Sequence, residues 1–231
     1  MRAVVLAGGK GARLRPLTYT IPKPLLPVGE KPILEEIVER LKSFGVTDLT
    51  IAVGYRAELI ETYFRDGAQL GVRIGYIREA QPLGTAGPLS LLDAGTGDEP
   101  LLVMNGDILT DLDVREFISS HLRSGNALTI ATREFRLQHP YGVIRTEDGR
   151  ITGIVEKPAV VDMVSAGIYA VQPSALSLIP RGRPFDMPDF VNALIAAGRA
   201  VGGYELHGEW LAIDRIEQLE EAARMLAERH A

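Results

Sequence analysis

The sequence contains no cysteine, and aromatic residues, including a single tryptophan, make up only 6% of the chain. The absence of cysteine excludes disulfide bonds, thiolate catalysis and zinc sites with cysteine ligands. Long apolar runs are missing too. The run that follows Arg2 stops at Gly8, which is too short for a signal peptide, and no stretch reaches the ~20 residues of a membrane span. We therefore expect a cytoplasmic protein with no membrane partner.

Basic residues are in the minority. The chain has 25 lysine and arginine residues against 30 aspartate and glutamate residues, which gives a net charge of −5. A surface with this balance offers nucleic acid no electrostatic footprint, so we expect no nucleic-acid partner. The length of 231 residues suits one α/β domain that buries roughly 70% of the surface of the unfolded chain.

A glycine-rich segment follows directly after a short apolar run near the start of the chain. Residues 3–6 have the pattern of a buried parallel strand, and residues 6–15 (LAGGKGARLR) come next. Glycine lets backbone N–H groups approach an anion, and Lys10, Arg13 and Arg15 supply positive charge. The spacing fits neither the dinucleotide fingerprint nor the P-loop. We interpret the segment as a polyphosphate-binding loop, although a tight solvated turn after a strand uses the same residues.

Two single charged residues stand out beyond this loop. Lys23 lies between two prolines in residues 22–24 (PKP), which fix the backbone and so favour a positioned cation, unless it is a surface lysine in a proline-rich connection. Asp107 follows the buried apolar run at residues 100–104, where a strand is predicted to end. Ligands of parallel sheets bind at the carboxyl ends of strands, and magnesium is commonly held by one or two carboxylates. Asp107 is therefore a candidate magnesium ligand, although a turn-forming aspartate would look the same.

Hydrophobic spacing predicts alternating strands and helices, and therefore a parallel sheet with right-handed crossovers. Helical spacing is found in residues 33–41, 59–64, 114–122, 191–195 and 216–226, and a further helix is predicted through Leu89 and Leu92. In the helix at 114–122 we expect Leu122 on the apolar face, and we assign His121 no role.

Four segments, taken in order, resemble the motifs of the sugar-1-phosphate nucleotidyltransferases, also called NDP-sugar pyrophosphorylases. They are residues 6–18, 22–24, 82–87 (PLGTAG) and 105–107 (NGD). The resemblance covers nearly the whole chain. It implies an α/β fold with a Rossmann-like, mostly parallel mixed sheet flanked by helices, of the nucleotide-diphospho-sugar transferase type. It also implies one domain over residues 1–231, with a nucleotide-binding half at 1–111 and a sugar-phosphate-binding half at 112–231.

The resemblance implies transfer of a nucleotidyl group from an NTP to a sugar 1-phosphate with release of pyrophosphate. The catalytic residues would be Arg13, Lys23 and Asp107, with Mg²⁺ as cofactor. Lys10 and Arg13 are assigned to the β- and γ-phosphates and Lys23 to the reacting phosphates. The residues assigned to nucleotide binding are Leu6, Ala7, Gly8, Gly9, Lys10, Gly11, Arg13, Glu79, Pro82, Gly84 and Thr85.

Residues 140–143, 153–158 and 164–169 look like the sugar-side motifs of the family. Glu156 can accept hydrogen bonds from two ring hydroxyls, and Lys157 can neutralise the acceptor phosphate, although both could be solvated charges at strand ends. Family members often carry asparagine where Ser165 stands. The residues assigned to sugar-phosphate binding are Asn105, Tyr141, Gly142, Glu156, Lys157, Ser165 and Gly167.

The sequence departs from the family near its last predicted helix. The family usually shows Trp-x-Asp-Ile-Gly there, its aspartate being a metal ligand, whereas this chain has Ala212 at the aspartate position and Asp214 two residues later. Positions two apart on a strand face the same side, so Asp214 is a second candidate metal ligand. Asp214 is equally suited to cap the following helix.

The identity of the base is inferred from Glu79, which stands where thymidylyl-transferring relatives carry glutamine. A carboxylate only accepts hydrogen bonds, which suits the N1–H and N2–H₂ donors of guanine, so we predict a preference for GTP. Mannose 1-phosphate is the commonest implied acceptor, but a related hexose, glucosamine, heptose or cyclitol phosphate would satisfy the same residues. The apolar stripe of the last helix is compatible with a homo-oligomer.

Two other functions remain open. Ala212 is compatible with a catalytically weak regulatory homologue that binds nucleotide and sugar. A cytidylyltransferase for an alcohol phosphate such as phosphocholine is the other, but such enzymes need an aromatic cage, for which this chain has few residues.

Overall fold

The computed structural model describes residues 1–92 and 97–230, with side chains described up to residue 228. The helices are α1 (Ile33–Ser43), α2 (Ala57–Phe64), α3 (Val114–Ser124), α4 (Met187–Ala196) and α5 (Ile216–His230). The strands are β1 (Arg2–Ala7), β2 (Pro27–Val28), β3 (Lys31–Pro32), β4 (Asp48–Val53), β5 (Arg73–Arg78), β6 (Leu101–Asn105), β7 (Ile108–Thr110), β8 (Leu128–Gln138), β9 (Val143–Glu147), β10 (Arg150–Val155), β11 (Ala159–Val171), β12 (Val201–Glu205) and β13 (Trp210–Ala212).

A seven-stranded sheet forms the centre of the fold, in the order β12-β8-β11-β6-β1-β4-β5. Strand β1 pairs in parallel with β4 and β6, and β4 pairs in parallel with β5. Strand β11 runs antiparallel to its neighbours β6 and β8, while β12 is parallel to β8. The predicted α/β fold with a mostly parallel mixed sheet flanked by helices is therefore confirmed.

The strands at the centre of the sheet bury both of their faces, which is why β1 is apolar from Ala3 to Ala7. Ala3 and Val5 pack into one core cluster with Ile37 of α1 and Ile60 of α2. Val4 points to the other side and packs into a second cluster with Phe190 of α4. The sheet therefore lies between two layers of helices, and its strand ends are left open for a site.

Most predicted helices form where the hydrophobic spacing places them. The five residues Ile33, Leu34, Ile37, Val38 and Leu41 form the buried face of α1. The chain leaves α1 through Gly45, whose φ of +83° suits a residue without a Cβ. Some positions on the predicted apolar faces are exposed nonetheless, namely Leu59, Ile195 and Ile216.

The prediction that Leu122 faces the core is wrong. Leu122 is 55% exposed, whereas His121 is completely buried. His121 lies three and four positions after Ile118 and Phe117, so all three side chains share the inner face of α3. The Nδ1 atom of His121 lies 2.8 Å from the Thr129 hydroxyl of β8, and this polar partner allows an imidazole in the core.

Within the described residues, the helix predicted through Leu89 and Leu92 forms only in part. Gly87–Leu91 forms a short 3₁₀ helix, and Leu92 is already extended. Gly87 and Pro88 start this segment, and a proline is compatible only with the first turn of a helix. Among the residues described, no helix is long and apolar enough to cross a membrane.

Strands β8 and β11 extend beyond the sheet as a two-stranded arm. Their outer parts, residues 133–138 and 159–164, pair with each other alone, and the β9–β10 hairpin lies between them in the chain. Several large apolar side chains of the arm and hairpin are exposed, among them Phe135, Leu137, Ile144, Ile151, Ile154 and Met163.

Candidate active site

The glycine-rich loop leaves β1 at the carboxyl end of the parallel strands. Gly11 has a φ of +59°, and a Cβ there would come within 2.9 Å of Thr18 and 3.0 Å of Lys23. The Thr18 hydroxyl donates a hydrogen bond to the Gly11 carbonyl at 2.8 Å. Glycine at this position therefore lets the loop fold onto the proline-rich segment that carries Lys23.

A cleft of about 530 Å³ opens above this loop. The loop, the proline-rich segment, the turn after β5, the end of β6 and one residue after β13 contribute to its lining. All residues assigned to the nucleotide line this cleft: Leu6, Ala7, Gly8, Gly9, Lys10, Gly11, Arg13, Glu79, Pro82, Gly84 and Thr85. The lining also includes residues to which sequence reasoning gave no individual role, namely Ala12, Leu14, Pro24, Pro88 and Gly106. Their small or apolar side chains carried no signal of a site.

Lys23 joins the two carboxylates of the cleft. Its side chain is 11% exposed. The ammonium donates a hydrogen bond to Asp214 Oδ1 at 2.9 Å and forms an ion pair with Asp107. Pro22 and Pro24 on either side fix the backbone, and the Leu26 N–H bonds to the Lys23 carbonyl at 3.0 Å. The lysine is thus a cation held on a rigid support.

The antiparallel pair of β7 and β13 brings the two carboxylates together. Ala212 pairs with Ile108, and the Ile213 N–H extends the ladder by donating to the Asp107 carbonyl at 2.9 Å. Asp107 lies just before β7 and Asp214 just after β13, so both lie at the same end of this pair of strands. The structure therefore places Asp214 beside Asp107 even though position 212 holds an alanine.

The side chain of Asp214 contacts the cleft cations and not the start of α5. Its Oδ2 atom accepts a hydrogen bond from Arg13 at 2.6 Å, and its Oδ1 atom accepts the bond from Lys23. The N–H groups of Asp214 and Arg215 donate instead to the side-chain oxygen of Gln218, at 2.7 and 2.9 Å. The sequence left open whether Asp214 caps α5 or faces the cleft. In the structure the side chain of Gln218 caps the start of α5, and the side chain of Asp214 faces the cleft.

The electrostatic environment keeps Asp214 ionised. Burial by itself raises the pKa of this carboxyl group, but the hydrogen bond and charge of Lys23 and the Arg13 guanidinium lower it more strongly. The net pKa of Asp214 lies below the usual value of an aspartate, so the group is a carboxylate at neutral pH.

Glu79 lies over the glycine-rich loop at the inner part of the cleft. Its Oε2 atom accepts a hydrogen bond from the Leu83 N–H at 2.8 Å. A Cβ on residue 8 would collide with the Glu79 carboxylate, so Gly8 is required for this approach. Burial raises the pKa of Glu79, and the Leu83 N–H partly offsets that effect. The carboxylate thus faces the cleft from a partly desolvated position.

The residues assigned to the sugar phosphate fall into two groups. Asn105 lines the cleft and packs against Gly167, which has a φ of +71°, and the Ser165 hydroxyl accepts a bond from the Gly167 N–H at 3.2 Å. Tyr141, Gly142, Glu156 and Lys157 lie at the base of the β9–β10 hairpin, outside the cleft lining. Glu156 packs against Gly142 there, and Tyr141 is 78% exposed. Of the residues assigned to the sugar phosphate, Asn105 alone is thus part of the described cleft lining, with Ser165 and Gly167 behind it, and the second group is not part of that lining.

The carboxylates of Asp107 and Asp214 fit a magnesium ion. Both offer hard oxygen donors, and the Lys23 ammonium between them demonstrates that the space accepts positive charge. Within residues 1–92 and 97–230, no group of three or more potential ligands forms a complete cage. Magnesium needs no such cage, because substrate phosphates and water commonly complete its coordination.

Comparison with known proteins gives a consistent result. The family model described as nucleotidyl transferase matches residues 2–229. A UTP–glucose-1-phosphate uridylyltransferase of Synechocystis sp. is 35% identical, covering 97% of this chain and 63% of the relative. A mannose-1-phosphate guanyltransferase of Yarrowia lipolytica is 37% identical, covering 92% of this chain and 60% of the relative. This chain thus spans about three fifths of the length of these curated relatives.

The solved structure of UDP-glucose pyrophosphorylase in complex with UDP-glucose superimposes with a TM-score of 0.75. It is 23% identical, and the match covers 99% of this chain and 98% of the other, so this likeness describes the fold. The fold, the order of the motifs and the family match agree. The chain belongs to the nucleotidyl transferase family, the family of the sugar-1-phosphate nucleotidyltransferases.

Proposed function

We propose that this protein transfers a guanylyl group from GTP to a sugar 1-phosphate, which gives a GDP-sugar and pyrophosphate. The observation that carries the nucleotidyl-transfer part is the meeting of Lys23, Asp107 and Asp214 at one side of a glycine-lined cleft. These groups supply positive charge and metal-binding oxygens where two phosphorylated substrates have to come together.

The reaction joins two anions, so charge and alignment dominate its barrier. An oxygen of the sugar phosphate attacks the α-phosphorus of the NTP in line with the departing pyrophosphate, and one P–O bond forms as the other breaks. No covalent enzyme intermediate is needed. Holding both substrates in this geometry can contribute on the order of 7–11 kcal/mol to lowering the barrier.

We assign the loop N–H groups, Lys10 and Arg13 to the β- and γ-phosphates, so they stabilise the charge of the leaving pyrophosphate. Lys23 neutralises charge at the reacting α-phosphate. A magnesium ion held by Asp107 and Asp214 would screen charge between the phosphates of the two substrates. Lys157, at the base of the β9–β10 hairpin, is assigned to the acceptor phosphate.

The preference for GTP is supported by the chemistry of Glu79. One of its oxygens accepts the Leu83 N–H and the other lies over Gly8, so the carboxylate faces the cleft as an acceptor. The Watson–Crick edge of guanine presents N–H donors, whereas uracil presents two carbonyl groups to the same carboxylate. The guanyltransferase of Yarrowia lipolytica agrees with this choice, and the uridylyltransferase of Synechocystis makes UTP the alternative. Mannose 1-phosphate is the first acceptor to test.

The proposal is tested by pyrophosphate release from the purified protein. Each of GTP, UTP, dTTP, CTP and ATP is combined with mannose 1-phosphate, glucose 1-phosphate, glucosamine 1-phosphate, a heptose 1-phosphate and phosphocholine, with Mg²⁺ or with EDTA. We expect Mg²⁺-dependent turnover with the highest kcat/KM for GTP, and the GDP-sugar is identified by mass spectrometry.

Three outcomes would change the proposal. A higher kcat/KM for UTP than for GTP rejects the guanylyl assignment and retains sugar-phosphate nucleotidyl transfer. Turnover of phosphocholine with CTP, and of no sugar phosphate, makes the protein a cytidylyltransferase. Binding of nucleotide and sugar phosphate without pyrophosphate release makes it a regulatory homologue, which the position of Asp214 beside Asp107 argues against.

A further inference from the structure

The start of α4 holds the turn that follows β5. This turn, residues 82–88, carries Pro82, Gly84 and Thr85 on the cleft lining. The Phe185 carbonyl accepts hydrogen bonds from the N–H groups of Ala86 and Gly87, at 3.0 and 2.9 Å, and the Phe185 N–H donates to the Leu83 carbonyl at 2.9 Å. A segment 100 residues away in the sequence therefore sets the shape of the turn.

Asp186 adds side-chain contacts to these backbone bonds. Its Oδ1 atom accepts a hydrogen bond from the Thr85 N–H at 3.0 Å and lies 3.4 Å from the Thr85 hydroxyl. The Thr85 hydroxyl in turn accepts a bond from the Met187 N–H at 2.7 Å. The Thr85 hydroxyl therefore contacts the start of α4, although Thr85 lies on the cleft lining.

The approach of the two segments depends on Gly84. Its φ is +77°, and a Cβ there would lie 2.5 Å from Asp186 Oδ1 and 2.8 Å from the Phe185 carbonyl oxygen. On the other side of the turn, the Leu83 N–H is bound by Glu79. One continuous set of hydrogen bonds therefore connects Asp186, through the turn, to the carboxylate that we assign to the base.

We infer that Asp186 is a positioning residue for nucleotide binding: it fixes the turn at residues 82–88 in the shape that receives the base. This inference rests on the proposed function, because it takes the turn to be the base-binding surface. Asp186 touches no substrate in this arrangement. Its effect acts through the N–H and hydroxyl groups of Thr85, and it should appear in the affinity for the nucleotide and not in the chemical step.

The test compares Asp186→Ala, Asp186→Asn and Asp189→Ala. Asp186 and Asp189 form the capping box of α4, so loss of either weakens the helix start, but only Asp186 contacts the turn. We expect Asp186→Ala to raise the KM for the NTP about fivefold, the factor of one ordinary hydrogen bond, with kcat and the KM for the sugar phosphate unchanged. Asparagine keeps the acceptor oxygen, so Asp186→Asn should restore the KM.

The control separates positioning from helix stability. Asp189→Ala should lower the melting temperature about as much as Asp186→Ala while leaving the KM for the NTP at the parent value. Equal KM values for Asp186→Ala and Asp189→Ala would overturn the inference. So would a failure of Asp186→Asn to restore the KM.

The kinetics use whichever NTP the parent turns over fastest, so the inference does not depend on the choice of guanine. Calorimetric titration with the same NTP gives the affinity directly. A parent that binds nucleotide with an affinity unaffected by Asp186→Ala rejects this inference alone. A parent that binds no NTP rejects both the inference and the proposed function.

Discussion

The Lys23 ammonium donates a hydrogen bond to the Asp214 carboxylate at 2.9 Å, although the two residues are 191 positions apart in the sequence. Lys23 also pairs with Asp107, so a single cation lies between two carboxylates. The three charges are partly shielded from water, and removal of one leaves the others without full compensation. A change to any of these side chains therefore alters what the other two can bind.

Lys23→Ala should lower kcat, because we expect the activation free energy to rise by about 2–4 kcal/mol. This rise is comparable to the effect of losing a donor that stabilises developing charge. Steady-state kinetics with GTP and mannose 1-phosphate measure the effect. Lys31→Ala is the matched control, because Lys31 also precedes a proline but pairs with Glu39 at 2.6 Å and does not line the cleft. An unchanged kcat in Lys23→Ala would reject the role.

Asp214→Asn should weaken the binding of Mn²⁺, used as a spectroscopic substitute for Mg²⁺, by at least about tenfold. The amide keeps the size of the side chain but removes its charge. Electron paramagnetic resonance of free Mn²⁺ gives the affinity without any need for turnover. Asp48→Asn should have no effect, because Asp48 lies at the opposite end of the sheet and pairs with Arg73.

The same Mn²⁺ titration tests whether Asp214 takes the place of the metal-binding aspartate that the family usually has at position 212. Adding Ala212→Asp to Asp214→Asn places a carboxylate where the family usually has one, and we expect it to recover part of the Mn²⁺ affinity. If Asp214→Asn binds Mn²⁺ as tightly as the parent, Asp214 is not a metal ligand.

Glu79→Gln should change the base preference. Glutamine offers one acceptor and one donor, so it loses a hydrogen bond to guanine and gains one to a carbonyl group of uracil or thymine. We expect the ratio of kcat/KM for GTP to kcat/KM for UTP to fall by at least about tenfold, since buried polar groups discriminate strongly when left unpaired. Glu58→Gln, on the exposed side of α2, should leave the ratio unchanged. A ratio that is also unchanged in Glu79→Gln would mean that the base is read elsewhere.

Because His121 is buried, we expect the free energy of unfolding to decrease in mild acid. Burial lowers the pKa of His121 below the usual value of 6.5, so the folded protein keeps the imidazole neutral. The unfolded chain takes up a proton as the pH falls through about 6.5, and the free energy of unfolding then decreases by up to about 1.4 kcal/mol per pH unit until the folded pKa is reached.

Urea unfolding at pH 7.5 and pH 5.5 measures this difference. His121→Leu should show a smaller loss between the two pH values than the parent, because the leucine does not titrate. His139→Leu, at an exposed position, should show the same loss as the parent. If the free energy of unfolding depends equally on pH in the parent and in His121→Leu, then His121 is not the source of the acid sensitivity.

The sequence predicts the sheet and most helices because apolar spacing depends on local geometry. Residues 3–6 and 49–53 are buried strands, and the spacing from Ile33 to Leu41 places α1 correctly. Apolar spacing does not predict which side chain is buried where a contact with a distant part of the chain determines it. His121 is buried because Thr129 on β8 offers its Nδ1 atom a hydrogen-bond partner. The buried face of α3 therefore includes position 121 and leaves Leu122 exposed.

Most residues that line the cleft were predictable from the sequence, but their arrangement was not. Glycine, proline and aspartate at strand ends indicated which segments would line a cleft. The contact of Asp214 with Lys23 depends on the register of β7 against β13, and the contact of Asp186 with Thr85 depends on how α4 packs below the sheet. Neither register nor packing leaves a pattern in a single sequence, so the cap and ligand interpretations of Asp214 looked equivalent.

The pairing of β7 with β13 has a consequence for biosynthesis. A nascent chain that has emerged only as far as β12 already carries the glycine-rich loop, Lys23 and Asp107, but it lacks the carboxylate that β13 delivers. In such an intermediate Lys23 has only one of its two carboxylate partners, Asp107. The ribosome must therefore translate nearly all of the described chain before Lys23 can contact both carboxylates.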